Sequence, residues 1–200
     1  MLRRSVLLIG LAAVLTVTPL GLSAETAGPL VRVRVEGKTQ SIFGATQPRA
    51  RAASALEALE VASNAGEFYY HVEDAGFGPY VDQIGRYPAG GSSGWVFKVN
   101  GASPPVGADK VELKPGDVVL WYWGTFTDAG GPPTLELRRE QGGCYRAAAV
   151  DDAGKPVPVR PVLRVDGRTV PTTLGRGCPG SHRGLVRAVA PGAVRSNALP

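Results

Sequence analysis

Trp95, Trp121 and Trp123 are the three tryptophans of the chain, and they fall in two short stretches, GSSGWVFKVNG (91–101) and KPGDVVLWYWG (114–124). Side chains at alternate positions of an extended segment share a face, and an aromatic face serves either as core or as a stacking surface for a flat ligand. In the second stretch Val119, Trp121 and Trp123 point one way, and Val118, Leu120 and Tyr122 point the other. In the first, Trp95, Phe97 and Val99 share a face opposite Val96 and Lys98. A sheet covered by a single helix needs only one apolar face, so the surplus must be covered by a second domain, a partner or a ligand. Tyr80, Trp95, Phe97, Asn100, Trp121 and Trp123 are therefore the candidate ligand-binding residues.

Other chemistry is harder to assemble. Nucleophilic catalysis needs a hydroxyl or thiol beside a base, and the two histidines, His71 and His182, sit in no recognisable context. GSSG (91–94) is not a G-x-S-x-G elbow, and it runs into a strand pattern instead of a helix. Glu73-Asp74 and Asp151-Asp152 are adjacent pairs that point apart on an extended chain, which suits them poorly to paired acid-base work. The glycines of DAGFGPYV match no phosphate loop and are explained by backbone freedom. The expectation is a protein that is not an enzyme, with no metal site and no cofactor.

The first residues carry Arg3 and Arg4, an apolar run from Val6 to Val17, and small residues ending at Ala24. This is the pattern of a secretory signal peptide over 1–24, with an uncleaved anchor as the alternative. The run is short for a bilayer span of about 20 residues, and no other segment could span a membrane. Export would put Cys144 and Cys178 in an oxidising compartment, where a disulfide is expected. A bridge closing a loop of about 35 residues is worth roughly 3–4 kcal/mol. Metal ligation is the rival reading, but no C-x-x-C spacing supports it.

Charge is divided unevenly. Residues 25–133 carry 9 basic and 12 acidic side chains, net −3, whereas 134–200 carry 11 and 5, net +6. The halves could attract one another, or the basic half could lie against an anionic cell-wall polymer. Nucleic acid is a poor candidate, because the basic residues are not interleaved with aromatics.

These residues need elements to hold them. DAGGPPT (128–134) has the composition of a linker between a domain at 25–127 and another at 135–200. In the first, Val31, Val33 and Val35 alternate with Arg32 and Arg34 as in a half-buried strand, and a return strand is expected near 41–45. RARAASALEALEVASNAG (49–66) gathers Ala52, Ala55, Leu56, Leu59 and Ala62 on one side of a helix that stops near Asn64 and Gly66. EFYYHV, WVFKVN and VVLWYW read as strands. The order predicts an α+β, β-grasp-like domain, a mixed sheet with one helix. The second half reads as short strands at intervals of about ten residues, a small all-β sandwich.

Four motifs in order, SALEALEVASN, GFGPYVDQI, SGWVFKVNG and ADKVELKPGDVVLWYW, resemble a bacterial domain of unknown function that is similar to the carboxy-terminal β-domain of transcobalamin and intrinsic factor. The resemblance covers about residues 30–125. Gly94, Trp95, Asn100, Gly101, Gly116, Asp117 and Trp121 match its pattern. It implies a β-grasp fold and a corrinoid as the possible flat ligand, although nothing here is similar to the helical barrel that completes the animal carriers. The second half resembles a bacterial immunoglobulin-like or carboxypeptidase-regulatory-like module, generally a spacer or adhesion unit. Together these readings predict a secreted protein that binds a small ligand or a surface. The alternative is a structural envelope protein held by its basic β-sandwich.

Overall fold

The computed structural model describes residues 28–76 and 78–200; the signal peptide expected over 1–24 lies outside them. The strand β1 (Leu30–Glu36) buries Val31, Val33 and Val35 completely. It pairs in parallel with β8 (Val118–Thr125), and antiparallel with β2 (Ser41–Phe43) and β3 (Arg49–Arg51). An antiparallel partner on the far side of β8, β7 (Ser93–Val99), completes a five-stranded sheet.

The helix α1 (Ala55–Gly66) crosses this sheet with Ala55, Ala58, Leu59 and Ala62 buried. Its start is set by reciprocal capping. Ser54 Oγ accepts from the Glu57 amide at 3.1 Å, and the Glu57 carboxylate accepts from the Ala53 amide at 2.6 Å. It ends where Glu67 turns left-handed at φ 50° and its amide donates back to the Ser63 carbonyl. The strands β4 (Tyr70–Asp74), β5 (Pro79–Ile84) and β6 (Tyr87–Pro88) form a separate three-stranded sheet.

Beyond β8 the chain is strands and turns apart from one short 3-10 turn at Gln141–Gly143. One four-stranded sheet contains β9 (Thr134–Arg139), β10 (Tyr145–Val150), β11 (Pro156–Val157) and β14 (Arg176–Gly177). The other contains β12 (Val162–Val165), β13 (Arg168–Pro171), β15 (Val186–Val189) and β16 (Ala198–Leu199). Between them lie Leu135, Leu137, Tyr145, Leu163 and Val186. Cys144 and Cys178 are joined by a disulfide. Near the carboxy terminus the Ala198 amide donates to the Ala45 carbonyl at 2.7 Å, tying the last strand back to the first half.

The α+β, β-grasp expectation is corrected by this arrangement. Among the described residues the structure is mostly β, 45% strand against 9% helical, with a single α-helix among several sheets in a sandwich-like fold. The strands over 70–88 pair among themselves and leave the helix-covered sheet without them. The reading of β1 as half-buried is also corrected, because Arg34 and Glu36 on its polar side are 3% and 0% exposed. The second half covers that side. Among the described residues no helix is long and apolar enough to cross a membrane.

Candidate functional site

The aromatic candidates follow from the β7–β8 register, in which Trp95 faces Trp123 and Phe97 faces Trp121. Trp95 and Trp123 meet edge to face at 5.5 Å between centroids, and Phe97 and Trp121 are tilted at 5.1 Å. This face is covered by the helix at Trp121 and by Tyr87 of the small sheet at Trp95 and Trp123. Trp121 Nε1 donates to the Ala55 carbonyl at 3.0 Å and Trp95 Nε1 to the Tyr87 carbonyl at 2.7 Å, so both indoles are anchored as well as 98% buried. Phe97 and Trp123 are half-buried against the same core. Lys38 Nζ sits 4.3 Å from the centroid of Trp123, an attractive cation–ring contact that caps its open side.

The remaining two candidates stand apart from this cluster. Tyr80 is half-buried with its hydroxyl against Gly94, and burial followed by the charges of Asp82 and Glu73 raises its pKa. Asn100 is exposed in the turn after β7 at φ 52°. Its amide donates to Asp117 at 2.8 Å and its oxygen accepts from the Val118 amide at 2.9 Å, which fixes the approach to β8.

The opposite face of β7–β8 is covered by the second half. Leu120 and Tyr122 pack with Val194, and Val96 joins them. Lys98, fully buried, donates to the Asp151 carbonyl at 2.7 Å and to Thr134 Oγ1 at 3.3 Å, and lies 3.4 Å from Asp152. Desolvation lowers its pKa, against the pull of Asp152. Tyr122 donates to Asp152 at 3.2 Å, and burial first, then Asp152, pushes its pKa up, so it stays protonated.

On β1, Glu36 is the hub of a second buried cluster. Its carboxylate accepts from Arg34 at 3.2 Å, from Arg195 at 3.1 Å, from Ser41 at 3.1 Å and from Arg187. Three guanidinium groups thus surround one carboxylate, with further carbonyl contacts from Gly37, Arg195 and Ser196. Burial is the main reason that the Arg34 pKa falls to about 10, which leaves it cationic at neutral pH. These residues, which join the two halves, escaped sequence reasoning. The signals available were the opposite charges of the halves and a lysine inside an apolar strand.

A third arrangement lies at the disulfide end of the second half. Arg139, Arg146, Arg176 and Arg183 are exposed there. Arg139 lines one groove with Glu140 and Arg176, and a second with His182 and Arg183. Arg176 in turn continues into a third groove with Arg146 and Cys178. The surface is therefore continuous from Arg183 to Arg146. Its acidic groups are occupied: Glu140 pairs with Arg146 and with Arg176 at 2.9 Å, which lowers its pKa, and Asp166 accepts from the Arg183 and Gly184 amides, which lowers its own.

Residues 52–125 match the family model of a domain of unknown function, DUF4430. No curated protein matches the chain. The DUF4430 segment runs from the chain entering α1 through the small sheet to the end of β8, so it includes the helix and the aromatic ladder. It leaves out β1, the Glu36 cluster and the basic surface. Among the described residues, no group of three or more His, Cys, Asp or Glu side chains could hold a metal ion. His71 bonds Asp82 at 2.7 Å, and His182 Nε2 lies 3.0 Å from the Tyr145 hydroxyl.

Proposed function

We propose that this is an exported, non-enzymatic protein that attaches to an anionic polymer of the cell envelope through the arginine surface of its second half. The observation that carries the reading is the continuity of that surface, with four exposed arginines across three adjoining grooves and the nearby carboxylates already engaged. Guanidinium groups present planar donor pairs to phosphate or carboxylate, and several along one surface suit a repeating anion better than a single small molecule. The disulfide fits an oxidising compartment. The DUF4430 segment then acts as the partner that covers and orients the basic half.

A stacking site for a corrinoid, which the resemblance to the cobalamin carriers would suggest, has less support. One face of β7–β8 is under α1 and the small sheet of β4–β6, and the other is against the second half. Washing intact cells with rising salt tests the polymer reading. A polyanion-bound protein is released by salt, and Arg139→Glu/Arg183→Glu appears in the medium without it. Wild-type protein found wholly in the medium at low salt would count against attachment.

A further inference from the structure

We infer that the cleft between the two halves binds a small organic monocarboxylate on the free edge of the Arg34 guanidinium. The cleft has a volume of about 210 Å³, several times the roughly 30 Å³ share of one liquid water. Val118 and Leu120 of β8 form one wall, and Leu135 and Val150 of β9 and β10 form another. Arg34 and Thr134 supply polar groups between them.

Arg34 is the unusual member. Its side chain is 96% buried, and both of its hydrogen bonds, to Glu36 and to the Arg195 carbonyl, are made by Nη1. Nε is buried with no hydrogen-bond partner in the protein. A buried N–H left unmade on a charged group costs more than on a neutral one, and native proteins seldom tolerate it without a ligand or bound water. Nε and Nη2 form the side-on fork of a guanidinium, whose spacing fits the two oxygens of a carboxylate. Thr134 Oγ1 already accepts from Lys98, so its own proton is available to the same anion.

Charge and shape select the class. Glu36 is shared among three arginines, which leaves the cluster net positive, while Glu136 on the cleft rim is paired with Arg138 at 3.2 Å and disfavours a dianion. The apolar walls suit a short hydrocarbon body. Backbone strain collects here too: Gln47, another lining residue, has φ 56°, a conformation that non-glycine residues adopt at a cost and that clusters at binding sites. The inference is independent of the polymer reading, since it shares no residue with the arginine surface.

Butyrate is a suitable probe, titrated into the full protein while the arginine Nε–H signals are followed by proton–nitrogen NMR. The expected result is a saturable shift of one Nε–H signal. Arg34→Lys, which keeps the charge and loses the fork, should bind about tenfold more weakly. Val118→Phe, which fills the cleft, should abolish the shift. Because either change could harm folding, Thr134→Val serves as a milder variant that should weaken binding while leaving the amide spectrum intact. The absence of a saturable shift up to the solubility of butyrate would overturn the inference. So would unchanged binding by Val118→Phe, or tighter binding of inorganic phosphate than of butyrate.

Discussion

Glu36 shows how far a single residue's role can depart from its sequence setting. The alternation of β1 assigns Val31, Val33 and Val35 to the core, where they lie, and sets Arg32 and Arg34 on the opposite side, while Glu36 reads as the start of a turn. Alternation reports which residues share a face and nothing about what covers it. Burial converts Glu36 into the counter-charge of Arg34, Arg187 and Arg195. Glu36→Gln should therefore destabilise the protein by about 3–5 kcal/mol in urea unfolding, because it leaves buried guanidinium groups uncompensated. Lys98 makes a complementary test. Its folded pKa lies below the model-peptide value of 10.5, so between the two values the unfolded chain binds more protons and stability rises with pH. Below that window the cost of the buried charge is constant. The stability of wild type relative to Lys98→Met should accordingly increase as pH rises toward 10.5, as followed by thermal unfolding. A flat difference would mean that Lys98 titrates alike in both states.

At the scale of elements, the helix was the most legible part. Its apolar stripe and its stop near Gly66 are local signals, and the observed Ala55–Gly66 span follows them. Ser54→Ala removes the side-chain cap on the Glu57 amide and should cost about 1 kcal/mol, measured from the urea midpoint at unchanged slope. The disulfide was also legible, from two cysteines and an inferred compartment, and Cys144 and Cys178 are joined. Strand partnership was not legible. The 70–88 strands have the composition of any half-exposed strand, and whether they join the β1–β8 sheet or close on themselves is decided by tertiary context. The short return through Gly85 at φ 59° brings β6 back onto β5, which favours the closed three-stranded sheet over the expected mixed one.

For the whole molecule, the surplus aromatic surface has two covers. The tryptophan ladder lies beneath α1 and the small sheet of β4–β6, and the Leu120–Tyr122 side meets the second half. The opposite charges of the halves, visible in composition, are used across their junction in the contacts of Glu36 with Arg187 and Arg195 and of Lys98 with Asp152. Which basic residues would be spent there could not be read from a net charge, since that depends on the packed geometry. Arg187 and Arg195 are drawn inward, and Arg139, Arg146, Arg176 and Arg183 remain outside.

That division is what the attachment reading rests on, and the binding of purified protein to a polyphosphate chain across a series of salt concentrations tests it most directly. The account predicts measurable affinity at low salt, a linear fall of log affinity with log salt as counterions are released, and a shallower slope with weaker binding for Arg139→Glu/Arg183→Glu. Absence of binding at low salt, or an unchanged slope in that variant, would contradict it.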